Sequence, residues 1–533
     1  MLFRSIPDAL YRLESGRLAV TEPIHGGGSR LKRVIRAGNI IGAEALITNT
    51  AFETTATALR DCELRRLERD EVIAAGTQAE IYAELARRAL ELMAQREANS
   101  SHKAAMLGFV AVCDSVDMRA TAEGLAKAMR GLGVAVSVLG LEGMNATAAQ
   151  LSKLEDAHDF VLFAAESSQN DYTQFLGRQI DRLILVGGTD TPLPRTPFRF
   201  GALAIHRHQL LDLVILHPAA TRAPRSSVRW QAAAPAARLF HARRGNDADL
   251  MHLARVFSGR SIGLAFSGGG ARAYAHVGVA KALEALHVPV DFLAGTSMGG
   301  VVAAGMAMGW DSQELDRRIR EAFVESSPLA DIAFPILAMT GGRVVEQRLK
   351  HHFGGVDICD LWRPFSCVST DLTTGGMHLH RTGALDRALR ATVSLPGVLP
   401  PVIEQGHVLV DGALARNLPV DVVKSQHEGL TIGIDVGRAA GLSPADLRLQ
   451  PSPWRWLLSG AWRHGPPIVS VLIRSATMPT RLAMAAANSS ADLLIAPDVD
   501  DIELRNWKAY EPAVEAGYRA TMDQAEKLSA WAV

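Results

Sequence analysis

A chain of 533 residues that is 48% hydrophobic and 21% charged has the balance of folded globular domains and not of a disordered polymer. At roughly 100–200 residues per domain it is expected to hold about three. Lys plus Arg and Asp plus Glu both number 56, so no overall field recruits nucleic acid or an acidic surface, and no nucleic-acid partner is expected.

The opening MLFRSIPDALYRLESGR has no basic region followed by an apolar core, so no signal peptide is expected. No apolar run reaches the roughly 18 residues that would cross a bilayer. Cys62, Cys113, Cys359 and Cys367 fall in no metal-ligand spacing and read as reduced thiols of a cytoplasmic protein.

Residues 1–72 alternate short apolar stretches with turns such as Gly26, Gly27 and Gly28, which predicts small antiparallel β-structure. From Gln78 to Arg96 the period changes, placing Ile81, Leu85, Ala89, Leu90 and Met93 on one helical face. A β module with a closing helix over 1–98 is the consequence. Next, the runs LGFVAVC, VAVSVL, DFVLFAA, RLILVG and LDLVIL alternate with helix-length segments. This pattern predicts an α/β middle domain over 104–218 with a parallel sheet. The Ala-, Pro- and Arg-rich stretch that follows is expected to be a linker over 219–260. Strand and helix alternation resumes over 261–533.

The chemistry lies in that last unit. IGLAFSGGGARAYAHVGVAKALEALH reads as a strand, a loop of Gly268, Gly269 and Gly270, and a helix opening near Ala271. Glycines there let backbone N–H groups converge at a helix N-terminus, an anion-stabilising nest. Gly268, Gly270 and Ala273 also fit a dinucleotide fingerprint. The next strand argues against that reading: VDFLAG runs into Gly295, Thr296, Ser297, Met298 and Gly299, a G-x-S-x-G elbow and not an acidic strand end. Small flanking residues permit a tight strand-to-helix turn that exposes the serine hydroxyl. A Gly-rich βα turn with an incidental serine is the bland alternative. The nest at Gly270, 27 residues before Ser297, weighs against it.

These residues resemble the patatin-like phospholipase family. That family combines a Gly-rich oxyanion loop ending in Arg-Gly, a G-x-S-x-G nucleophile, and a later Asp-Gly-Gly or Asp-Gly-Ala. The last stands here as Asp411, Gly412 and Ala413 within VLVDGALARNLPV. STDLTTGG and RATVSLPGVLPPV also look like the family's intervening segments, so the match covers roughly 261–525. One departure is Ala273, where the family usually has Gly; a methyl group is tolerable there if φ is negative.

The resemblance implies a three-layer α/β/α hydrolase domain that needs no metal or cofactor. It implies a Ser297–Asp411 dyad, with Gly268, Gly269, Gly270, Ala271 and Arg272 around the oxyanion. The expected reaction is hydrolysis of acyl esters of phospholipid or lysophospholipid in lipid metabolism. Alternatives are a Ser-His-Asp triad lipase using His427 or His464, and a regulatory protein with an inactive hydrolase domain. His276 is expected to pack or support. Asp371 and Asp421 lack the Asp-Gly context and read as turn or cap residues.

The order of units resembles bacterial relatives of neuropathy target esterase, with a cyclic-nucleotide-binding-like module ahead of the hydrolase. In such modules a Glu after the first Gly and an Arg about nine residues later hold the phosphate. Here Ala43 follows Gly42 and the Arg position falls on Phe52, which predicts a partial, degenerate module, its opening strands missing before Met1, that binds no cyclic nucleotide. Trp454, Trp456, Leu457, Leu458 and Trp462 beside Arg455 and Arg463 suit a membrane interface, with a loop packed on the core as the favoured alternative. The expected location is the cytoplasm, with peripheral contact at the inner membrane surface.

Overall fold

The computed structural model describes residues 9–23, 29–42, 54–59, 61–68, 106–113, 115–166, 171–190, 210–233, 236–325, 328–334, 338–437, 490–504 and 506–531. The expected helix over 78–96, Ala43, Phe52, His464 and the Trp454–Trp462 segment lie outside them. The chain divides into two compact units, Met1–Ala220 with Arg229–Gly259, and Thr221–Val228 with Arg260–Val533. Among the described residues no helix is long and apolar enough to cross a membrane.

The first unit opens with β1 (Ala9–Ser15), β2 (Arg17–Pro23), β3 (Ser29–Arg36), β4 (Ile40–Ile41), β5 (Thr55–Ala58) and β6 (Glu63–Glu68), in two three-stranded antiparallel sheets ordered β4-β1-β6 and β3-β2-β5. Leu13, Leu18, Val20, Ile35 and Ile41 form their small core. It is followed by β7 (Met106–Ala111), β8 (Val136–Leu139), β9 (Phe160–Ala165), β10 (Arg182–Gly188), β11 (Leu210–His217) and β12 (Arg238–Arg243). These form one parallel sheet ordered β12-β11-β10-β7-β9-β8. The near-continuous apolar strands are those of a parallel sheet buried on both faces. Buried Arg17 of β2 pairs with Glu155 and, at 2.7 Å, with Asp181, which ties the β module to the α/β sheet within this unit. Removing one member of so buried a cluster would strand the other charges.

The expected linker over 219–260 is corrected. Residues 238–243 are the edge strand β12, where the Arg238 guanidinium holds buried Asp212 through two bonds of 2.8 and 2.6 Å. Asn246 then caps the helix Asp247–Phe257, accepting from the Asp249 amide. Leu253, Val256 and Phe257 of that helix are buried, Phe257 against Phe109 and Phe240. An edge strand needs only a few inward side chains, so its Arg ends and Ala-rich approach gave it the composition of a loop.

The second unit contains β13 (Ile262–Phe266), β14 (Phe292–Thr296), β15 (Phe365–Asp371), β16 (Gly376–His380), β17 (Val402–Glu404), β18 (His407–Asp411), β19 (Leu430–Ile434) and β20 (Leu493–Ile495). The sheet order is β17-β18-β15-β14-β13-β19-β20, with β16 also on β15. β15, β14, β13, β19 and β20 run parallel, while β16, β17 and β18 pair antiparallel. Pleating sends alternate residues of β13 to opposite faces. Ile262, Leu264 and Phe266 join the main core with residues of the helices Ala275–Ala285 and Met298–Ala307. Gly263 faces Val423 of the helix Val420–Lys424 and His427. Helices therefore cover both faces, giving the expected α/β/α layering around a parallel core.

Candidate active site

The strand register brings the elements of the site to one height. Thr296, the last residue of β14, lies opposite Val368 of β15, and the next residue of β15, Ser369, lies opposite Asp411 at the end of β18. Ser297 Oγ donates to Asp411 Oδ2 at 2.6 Å. Both side chains are buried, Ser297 at 8% exposure and Asp411 at 1%.

Ser297 occupies a sharp bend at φ 54° and ψ −132°, directly before the helix Met298–Ala307. A non-glycine residue in that region stores backbone strain. The surrounding contacts hold it there: the Ser297 amide donates to Thr392 Oγ1 at 2.9 Å, and the Thr392 hydroxyl donates to the Val368 carbonyl. The flanking glycines answer to crowding. A Cβ on Gly295 would come 2.6 Å from Gly299 backbone, and one on Gly299 would run into the Ser267 carbonyl oxygen.

Asp411 is fixed by its own turn. Its Oδ1 accepts from the Ala413 amide at 2.9 Å, its amide donates to the Ser394 carbonyl at 2.9 Å, and its carbonyl accepts from Thr370 Oγ1 at 2.9 Å. Burial pushes its carboxyl up to about 6, against the lowering effect of the bonds from Ser297 and Ala413. A Cβ on Gly412 would collide with the Val368 carbonyl oxygen, so Gly412→Ala must displace either β15 or the carboxylate. The expected result is a loss of about 1–3 kcal/mol in urea unfolding.

The glycine loop lies against the serine, since a Cβ on Gly268 would come 3.0 Å from Ser297 Cβ. Its amides are not equivalent. Gly268 N donates to Asn417 Oδ1 and carbonyl at 3.2 Å each, Ala271 N to the Leu504 carbonyl at 2.9 Å, and Arg272 N to the Gly269 carbonyl at 3.1 Å. Of the five residues expected around the oxyanion, Gly269 and Gly270 are those whose amides are without an acceptor among the described residues. Gly270 has φ +54° and faces the Leu504 carbonyl, where a Cβ would clash. Arg272 is buried, and its Nε donates to the Ile502 carbonyl at 2.5 Å. Ala273 is fully buried and not among the residues with positive φ, so its methyl fits.

His276 is buried, and burial holds its imidazole down at about 4, so it is neutral near pH 7. Its Nε2 donates to the Ser267 carbonyl at 2.8 Å, bracing the loop from behind. His427 lies at the other end of the sheet, between Ser261 Oγ at 3.0 Å and Thr431 Oγ1 at 3.1 Å, stacked on Phe292. Among the described residues no histidine bonds to Ser297 or Asp411. Asp371 accepts from Thr374 Oγ1, the Thr373 amide and His407, which together hold it low despite burial. Asp421 pairs with Arg416 at 3.3 Å. Sequence reasoning missed Thr392, Ser394 and Asn417. The last stands six residues after Asp411 in the quoted VLVDGALARNLPV, yet nothing in its type or spacing marks it.

Residues 264–424 match the patatin-like phospholipase family, and residues 4–77 match the cyclic nucleotide-binding domain. An NTE family protein of Mycobacterium tuberculosis is 33% identical, over 69% of this chain and 62% of its own length. Neuropathy target esterase sws of Drosophila melanogaster is 28% identical over 96% of this chain and 41% of its own. The chain therefore spans less than two thirds of these curated relatives. Among solved structures, VipD from Legionella pneumophila covers 51% of this chain and 67% of its own at 13% identity, with a TM-score of 0.30. The chain joins a cyclic nucleotide-binding domain to a patatin-like phospholipase domain, and its homologues are NTE family proteins.

Proposed function

We propose that this protein is a serine esterase that hydrolyses acyl esters of phospholipid or lysophospholipid through Ser297 and Asp411. The observation that carries the reading is the 2.6 Å bond from Ser297 Oγ to a buried carboxylate, beside two amides with no acceptor among the described residues. Asp411 takes the Oγ proton as the hydroxyl attacks the ester carbonyl, and returns it to the leaving alcohol. The oxyanion is met by the amides of Gly269 and Gly270, aided by the helix N-terminus behind Ser297. Water then enters, gives a proton to Asp411, and releases the fatty acid as Ser297 recovers its own. Arg272 and Asn417 hold the loop in place and do not touch substrate.

A fluorophosphonate, which phosphonylates activated serines, is expected to add one adduct per chain, mapped by peptide mass to Ser297. Fatty-acid release from lysophosphatidylcholine or diacyl phosphatidylcholine should stop in proportion to labelling. Labelling at another serine, or hydrolysis that survives full labelling, would overturn the reading. The N-terminal module is taken not to bind cyclic nucleotide, on the residues at 43 and 52. Saturable binding of a fluorescent cyclic AMP analogue would refute that part alone.

A further inference from the structure

Away from the site, two helices of the second unit bring three ligand-type side chains together. Glu321 stands in the last turn of the helix Ser312–Phe323, and His351 and His352 in the last turn of Arg343–Phe353. One donor atom from each lies within 4.8 Å of the other two. His351 Nε2 is 3.7 Å from Glu321 Oε1, while Arg317 Nη1 donates to Glu321 Oε2 at 3.1 Å. The guanidinium thus holds one carboxylate oxygen and leaves the other facing the imidazole.

His352 supplies an independent sign. It is only 8% exposed, its Nδ1 has no hydrogen-bond partner among the described residues, and its ring stands edge-on to His351 at 4.8 Å. A buried polar atom without a partner carries a desolvation cost that binding of a Lewis acid would remove. The neighbouring cations are already engaged: Arg317 is bonded to Glu314 and Glu321, and Arg318 to Glu314.

We infer that Glu321, His351 and His352 form a binding site for one divalent first-row transition cation of the zinc and cobalt class, clamping the two helices together. Two imidazoles and a carboxylate suit such an ion and leave positions for water. Metal–ligand bonds of about 2.0–2.2 Å require donor atoms roughly 3.3–3.5 Å apart. The His351–Glu321 distance nearly meets this, and His351, with its side chain 70% exposed, can swing to close the rest. This site is independent of the esterase reading, since nothing in the proposed chemistry passes through it.

The test uses chelator-stripped full chain, titrated calorimetrically with zinc chloride and spectroscopically with cobalt chloride. Wild type is expected to bind one more equivalent than His351→Ala or Glu321→Gln, or to bind that equivalent about tenfold or more tightly. Zinc should also raise its melting temperature by a few degrees more than theirs. Both variants alter partly exposed positions, so folding is retained where His352→Ala, at a buried position, could lose it. No binding by wild type, or the same stoichiometry, affinity and melting shift in all three proteins, overturns the inference.

Discussion

Ser297→Ala is expected to lower kcat on a lysophospholipid by about 10⁴-fold or more, because the proposed mechanism carries the acyl group on the Ser297 hydroxyl. The residue left behind by the substitution still sits at φ 54°, and a second effect follows from that. The hydroxyl donates to Asp411 Oδ2, so alanine leaves a buried carboxylate oxygen without its donor at a cost of about 1–3 kcal/mol. Ser297→Gly loses the same bond but relieves the backbone, and should be more stable than Ser297→Ala by about 1 kcal/mol. Both variants should be equally inactive. Urea unfolding at pH 8 reads the difference, and a glycine variant no more stable than alanine would mean that the bend is not strained.

The parts of this site legible in the sequence are those that crowding forces on the backbone. Gly295, Gly299 and Gly412 leave a fixed pattern because a Cβ at each would strike a neighbouring main chain, and no other residue type answers that demand. Gly269 and Gly270 appear in the same pattern, but which amides remain free depends on partners far away in the chain. The Leu504 carbonyl takes the Ala271 amide and Asn417 takes that of Gly268. These are long-range pairings of ordinary polar groups, with no spacing rule to announce them. Thr392 and Ser394 are of the same kind: each acts through one hydroxyl or carbonyl placed by the fold.

At the level of architecture, the alternation of strands and helices revealed the parallel sheets, since apolar runs of this length need cover on both faces. It did not reveal the edge strand β12. Three buried residues in RLFHAR give too short an apolar run to stand out, and its partner Asp212 is visible only in space.

Asp411→Asn is expected to reduce kcat by about 10²–10⁴-fold while making the fold more stable at pH 8. The rate falls because the amide cannot accept the Ser297 proton. The stability change follows from linkage. Burial raises the Asp411 carboxyl from its ordinary value to about 6, so between pH 4 and 6 the folded state binds a proton that the unfolded state has released. Stability from this group is fully present below the unfolded pKa and is lost as pH rises through 6, where the buried carboxylate must ionise. A shift of about two units corresponds to roughly 3 kcal/mol at most. Asn cannot ionise, so its advantage should grow from pH 4 to pH 8. The same proton governs catalysis in the opposite sense. Wild-type kcat/KM should climb about tenfold per pH unit below 6 and level off above about 7 as the base becomes available, while the residual activity of the Asn variant should lack that limb. Retention of the limb in Asp411→Asn would assign the titration, and with it the base, to another group.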